Sequence, residues 1–253
     1  MTLYSPMPKL RFEMHAKLPA FRRKVEAAKE IIEEALQRME YPYVAFSAGK
    51  DSTALLHLVR SAAPSTIAVW SDDEWNLPET AALVEQTSNC HYIAARVQHA
   101  EWFTSWEADN PALPEGTIWV DAPANDGLQT FACQQGYDGA FIGLRADENS
   151  RRRRYLKHYG ALHFAKKSGA WQCNPLAWWS VDDVWAYIHT RALPYNAAYD
   201  KLTQMGVPIE RQRTGPMAQG RVLGYGQIAI LKQGWPELYN RFVDRYPEAR
   251  SYV

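Results

Sequence analysis

Between residues 41 and 145 the chain alternates short, mostly apolar runs with longer stretches of helical spacing. YPYVAF ends at residue 46, TIAVW covers 66–70, HYIAARV covers 91–97 and AFIGL covers 140–144. Runs of this kind suit strands buried on both faces, which occur where helices cover both sides of a parallel sheet. The intervening segments, Asp51–Ser61 and Leu77–Ser88, have helix length, and the second opens with Pro78 and Glu79. Strands alternating with helices restrict the fold to a three-layer α/β sandwich. A mostly parallel, Rossmann-like sheet of five strands is expected.

The flanking segments fit around this unit. LPAFRRKVEAAKEIIEEALQRM, 18–39, has apolar residues at Phe21, Val25, Ala28, Ile32, Ala35, Leu36 and Met39, and predicts an amphipathic helix. Residues 104–123 read as a proline-bearing loop, Leu128–Gln135 as a helix, and 161–176 as a hairpin turning at Ser168-Gly169. Ser180, followed by two acids, opens a strong helix, and Pro236–Tyr246 forms a last one. The division is a helical lead-in over 1–40, a nucleotide-binding domain over 41–200 and a C-terminal extension over 201–253.

SAGKDST, residues 47–53, lies where the first strand hands over to a helix. Such a junction aims free backbone N–H groups and the positive end of the helix dipole at one spot. Gly49 allows close backbone approach, Ser47 and Ser52 bring hydroxyls, and Lys50 a mobile charge suited to polyphosphate. An ordinary helix start, capped by Ser or Asp, uses the same residues. The spacing is not that of a Walker A loop.

Lys plus Arg and Asp plus Glu both total 28, so no global field draws the chain to nucleic acid or membrane. No apolar stretch approaches a membrane span, no signal-peptide core opens the chain, and the expected location is the cytoplasm. Cys90, Cys133 and Cys173 lack metal-ligand spacing, so reduced, mostly buried thiols are expected and no iron–sulfur cluster.

SAGKDS after an apolar strand resembles the SGGxDS pyrophosphate loop of the adenine nucleotide α-hydrolase superfamily, with Ala48 in place of the usual second glycine. Three further blocks are similar to the phosphoadenosine phosphosulfate (PAPS) reductase family: SDDEWNLPET at 71–80, GLRADENSRRR at 143–153 and CNPLAWWSVDDVWAYIHTRALPYNAAYD at 173–200. Asn149 stands between Glu148 and Ser150, where the family has none. Reductases of that family carry a C-terminal nucleophilic cysteine, and here nothing after Cys173 can serve. They also tend to lose Lys-Asp-Ser, whereas this chain keeps Lys50, Asp51 and Ser52.

The resemblance therefore implies cleavage of ATP between its α and β phosphates, as in ATP pyrophosphatases and adenylyltransferases, with Mg²⁺. Ser47, Ala48, Gly49, Lys50, Ser52 and Thr53 would hold pyrophosphate, and Asp51 would orient the loop or reach Mg²⁺ through water. Asp72 and Asp73 are metal candidates or a helix cap. The backbone at Val69 and Trp70 would read adenine. Gly143 and Arg145 would face the α-phosphate or the acceptor, though Arg145 and Glu148 equally suit a structural ion pair. Of Arg151–Arg154, Arg152 and Arg153 are candidates for a second anion: a sulfate, a 3′-phosphate or a nucleic-acid backbone. The bland alternative is a solvated charged turn.

Trp178, Trp179 and Trp185 read as core packing, and 214–227 as a lid or a packed connection. The implied partners are ATP and an acceptor, with a sulfur-transfer protein and a homodimer left open. Two rival functions remain: a PAPS reductase borrowing a partner's thiol, and a non-catalytic ATP- or PAPS-binding component.

Overall fold

The computed structural model describes residues 9–72, 75–97, 116–123, 127–166, 168–215 and 227–253. Two helices lead in, α1 (Lys9–Ala16) and α2 (Pro19–Leu36). The alternating unit follows: β1 (Pro42–Ala45), α3 (Lys50–Ala62), β2 (Ile67–Asp72), α4 (Pro78–Glu85), β3 (Cys90–Val97), β4 (Ile118–Pro123), α5 (Gly127–Gln134) and β5 (Gly139–Phe141). Then come α6 (Ser150–Tyr159), β6 (Leu162–Ala165), β7 (Ala170–Cys173), α7 (Val181–Thr190) and α8 (Ala198–Gln204). Helices Gln227–Gly234 and Pro236–Arg245 and the 3-10 turn Pro247–Tyr252 close the chain.

The strands form one sheet in the order β4-β3-β2-β1-β5-β7-β6. Every neighbouring pair is parallel except β6 with β7. The mostly parallel sheet is as expected, but it has seven strands rather than five. One additional strand, β4, comes from the stretch read as loop, where Ile118–Val120 is a short apolar run crowded by prolines. The hairpin at Ser168-Gly169 does not stand apart: β7 pairs with β5, and β6 forms the antiparallel edge.

Alternation along the strands explains the layers. Val44, Ala68 and Trp70 face a core shared with Phe21, Val25 and Ile32 of α2, Leu55 and Val59 of α3, and Val184 and Trp185 of α7. Ile228, Leu231 and Phe242 of the C-terminal helices join that same cluster. Tyr43, Val69, Ile93 and Val120 point the other way, onto Phe131 and Ala132 of α5. Trp179 and Trp185 are buried as expected, whereas Trp178 is 53% exposed.

The order places β1 between β2 and β5, so the chain leaves β1 toward one side of the sheet and returns later on the other. Loops following two adjacent parallel strands diverge there and leave a crevice at the strands' carboxyl ends. SAGKDST follows β1 and Gly143–Arg145 follows β5, so both meet at this switch point.

Candidate active site

Phe46 extends β1 by donating its N–H to the Val69 carbonyl (2.9 Å). The loop then closes on itself through one hydroxyl. Ser52 Oγ accepts from the Ser47 N–H (3.2 Å), donates to the Gly49 carbonyl (3.0 Å) and lies 3.2 Å from Ser47 Oγ. Ser52 is thereby spent on loop shape, and no side chain caps the start of α3 at Gly49. The reading of SAGKDST as an ordinary Ser or Asp cap has no hydrogen bond behind it.

Ala48 adopts φ +52°, the left-handed region that glycine enters freely. Its carbonyl accepts from Asn196 Nδ2 (3.3 Å), which also donates to Thr80 Oγ1 (2.8 Å). Gly49 itself is extended (φ −83°), so its lack of a side chain matters for space rather than torsion. A Cβ there would sit 3.3 Å from Ser47 Oγ and 3.4 Å from Tyr199 Oη, narrowing the cradle. Tyr199 Oη accepts the Lys50 N–H (3.0 Å), one of the orphan donors of the helix start.

Asp51 joins two cations. Its Oδ2 accepts from Lys50 Nζ (2.9 Å) and its Oδ1 from Arg145 Nε (2.5 Å). Lys50 and Arg145 are only 6% and 4% exposed. Burial alone would raise the Asp51 pKa, but Lys50 and Arg145 together lower it, so the carboxylate is ionised. Arg145 Nη1 also comes within 3.5 Å of Asp147, whose carboxylate is exposed and screened by solvent. Among the buried groups, then, two cations share one anion at the N-terminal end of a helix. Each Asp51 oxygen is engaged by a cation, the arrangement of a residue that orients the loop. Asp72 closes β2, and its side chain, like the whole of Asp73, lies outside the described residues.

The alternative reading of Arg145 and Glu148 as an ion pair is not what the side chains do. The Arg145 guanidinium turns to Asp51 and donates to the Trp179 carbonyl (3.2 Å), while Glu148 pairs with Arg152. Glu148 instead accepts from the Arg145 backbone N–H (3.4 Å). Gly143 lies against the first turn of α3, where a Cβ would come 3.4 Å from the Asp51 carbonyl carbon and the Ser52 nitrogen.

These groups line a cavity of about 550 Å³. Ser47, Lys50, Asp51, Ser52, Arg145 and Arg152 bound its polar side, and Val69, Leu128 and Ile142 supply apolar wall. Its volume lies within the usual range for small-molecule sites. Of the two residues whose backbone was expected to read adenine, Val69 lines the cavity and Trp70 does not; the Trp70 side chain packs on the opposite face, edge-on to Tyr92 at 6.1 Å. Thr53 likewise lines a separate hollow beside Leu56 and His57. Arg152 reaches the cavity, whereas Arg153 is exposed and donates to the Ala146 carbonyl (3.4 Å). Residues 216–226, most of the glycine-rich segment read as a lid or a packed connection, lie outside the described residues.

Tyr199 and Asn196 were not among the residues expected from sequence, although both lie in the LPYNAAYD block. Gln212 and Arg213 also border the cavity and carry no motif that would have marked them, whereas Thr214, which borders it too, opens the segment read as a lid or a packed connection. Cys173 is fully buried, and burial pushes its thiol far up. Cys133 is exposed rather than buried, and none of the three cysteines borders the cavity.

Comparison with known proteins places this geometry in context. Residues 41–207 match the family model described as the phosphoadenosine phosphosulfate reductase domain. Sulfate adenylyltransferase subunit 2 1 of Alkalilimnicola ehrlichii is 24% identical over 192 residues, covering 67% of this chain and 61% of that one. Sulfate adenylyltransferase subunit 2 of Nocardia farcinica is 26% identical over 206 residues, covering 67% and 62%. The chain therefore spans about three fifths of the length of these relatives. Among solved structures, the Candida glabrata FMN adenylyltransferase in complex with ATP superposes with a TM-score of 0.53 at 14% identity, over 76% of this chain and 65% of that one. At that identity the likeness is one of fold.

Proposed function

Because this chain belongs to the phosphoadenosine phosphosulfate reductase domain family, we propose that it splits ATP between the α and β phosphates and passes the adenylyl group to an acceptor, in sulfur or nucleotide transfer. The observation that carries this reading is the start of α3, where glycine stands at the N-cap and buried Lys50 and Arg145 share the carboxylate of Asp51. Adenylyl transfer needs little covalent help from a protein; positioning and neutralisation of charge supply most of the rate.

In this scheme the free amides of the loop and the Lys50 ammonium hold the β and γ phosphates. A lone pair on the acceptor attacks the α-phosphorus, the bond to the bridging oxygen breaks, and pyrophosphate leaves with that electron pair. Arg145 offsets charge on the α-phosphoryl group, and Asp51 keeps both cations aimed into the cavity. The apolar wall of Val69, Leu128 and Ile142 suits a nucleobase. The names of the relatives, sulfate adenylyltransferase subunit 2 and FMN adenylyltransferase, agree with adenylyl transfer and with a partner subunit. Reduction of a sulfonucleotide would have to use a partner's thiol, since the lining includes no thiol among the described residues.

The test is release of pyrophosphate from magnesium ATP with sulfate, flavin mononucleotide or thiol acceptors. Wild-type protein is expected to release it with one of them, and Lys50→Ala to lower the rate by about 100-fold or more, the usual effect of removing one preorganised donor. Equal release by wild type and variant would refute the reading. ATP bound tightly and recovered intact with every acceptor would favour a non-catalytic nucleotide-binding component instead.

A further inference from the structure

We propose that α6 and the adjoining β6 edge form a docking surface for single-stranded nucleic acid. Helix α6, SRRRRYLKHY, carries Arg151–Arg154, Lys157 and His158 and no carboxylate. In a chain whose charges sum to zero, this is strong local segregation. Arg152 turns inward to Glu148 and the cavity, and Arg153 bonds the Ala146 carbonyl. Arg151, Arg154 and Lys157 are exposed, and among the described residues none of them forms an ion pair. A merely solvated helix face normally intersperses both signs. Here three unspent cations span seven residues, a rise of about 9 Å at 1.5 Å per residue, comparable with the spacing of two or three phosphates at about 3.4 Å each.

The second observation is an aromatic platform on the helix stripe that Arg151 begins. Arg151, Tyr155 and Tyr159 recur every four residues and so share one stripe of the helix. The Tyr155 and Tyr159 rings lie 4.9 Å apart, and Tyr159 stacks on His163 of β6 at 5.3 Å with 27° between planes. Tyr155 Oη holds the platform in place, 2.8 Å from His163 Nε2 and donating to Gln172 Oε1 (3.2 Å). Tyr159 nevertheless remains 52% exposed. An exposed ring fixed by stacking below it, on the stripe that begins at unpaired Arg151, is the arrangement that binds an unstacked base and a neighbouring phosphate. A duplex hides its base faces and would use only the charges. An acidic peptide would likewise leave the platform unused.

The helix enters the cavity through Arg152, so a strand on this surface would run toward the mouth of the nucleotide site. The binding itself stands independently of ATP chemistry, and the experiment omits ATP. Fluorescence anisotropy of a labelled 20-nucleotide oligo(dT) or oligo(U) is measured at low salt, with the matching duplex and heparin as competitors. Single strands are expected to bind in the micromolar range, with a log–log salt slope near −2, about −0.7 for each of three phosphate contacts. The combined change Arg151→Glu, Arg154→Glu, Lys157→Glu should abolish binding. Tyr159→Ala should weaken it by about 5-fold or more, while Tyr159→Phe keeps it. Matching circular dichroism spectra verify that the variants fold. Absence of binding, preference for the duplex, or unchanged affinity of Tyr159→Ala would overturn the proposal, the last because it would reduce the surface to an unspecific polyanion contact.

Discussion

Ala48 holds a left-handed backbone (φ +52°) in which an L side chain is disfavoured by about 1–2 kcal/mol. Two side chains from the far end of the α/β unit stabilise the loop around it: Asn196 takes the Ala48 carbonyl, and Tyr199 takes the next free amide, that of Lys50. Replacing Ala48 by glycine relieves the torsion but gives up a fully buried methyl, about 0.8 kcal/mol, and adds chain freedom when unfolded. These effects nearly cancel, so Ala48→Gly should change urea stability by less than about 1 kcal/mol. Ala48→Val, β-branched in the same torsion and without room, should cost about 3 kcal/mol or more. Asn196→Ala strands the buried Thr80 hydroxyl and should cost about 2–3 kcal/mol in the same melts. The SAGKDST loop was legible from residue types alone. Its dependence on Asn196 was not, because the contact spans 148 residues and no local pattern reports it.

Helix α7 displays the same division between local signal and distant use. Ser180 and Asp183 form a capping box, readable from SVDD as a helix start. In the folded chain Asp183 also acts as a latch. It is 2% exposed and accepts from His15 Nε2 (2.8 Å) and Lys24 Nζ (2.6 Å), tying α1 and α2 to α7. Burial raises its pKa, but the hydrogen bonds from His15, Lys24 and the Ser180 amide outweigh that and lower it. A carboxylate with a depressed folded pKa contributes its full stability above its unfolded pKa, about 3.9, and loses it as pH falls through the lower folded value. Stability from this latch should therefore be flat from pH 7 to about 5 and decline below about pH 4. Asp183→Asn should lower stability at pH 7 by about 2 kcal/mol, the order expected for weakening a buried pair and a cap. It should also flatten the acid dependence. Hydrogen exchange in α1 and α2 between pH 3 and 7 would check both. Unchanged acid sensitivity in the variant would assign the loss to Asp51 or to other carboxylates.

Across the whole molecule, the site is a product of strand order. Apolar runs and helix spacing made the parallel centre readable, because strands buried on both faces leave an uncharged signature. The edges left no such mark. β4 is hidden among prolines, and the β6–β7 hairpin joins the sheet only because β7 finds the free side of β5. Placing β1 between β2 and β5 is what brings Lys50 and Arg145, 95 residues apart, onto one carboxylate. Since both cations follow directly on central strands of the sheet, nucleotide bound there should stabilise the whole fold. A ligand at 100 times its dissociation constant adds about 2.7 kcal/mol. For a chain of this size, about 2–4 °C per kcal/mol, the melting temperature should rise by about 5–10 °C. The probe of choice is α,β-methylene ATP, which carries the same charges but resists cleavage at the α–β bridge, so binding is read without turnover. Lys50→Ala should abolish the shift, whereas the triple α6 variant, which leaves Arg152 and the loop cations in place, should keep it. A wild-type melt unmoved by the analogue at millimolar concentration would refute nucleotide binding at this crevice, whichever acceptor is supplied.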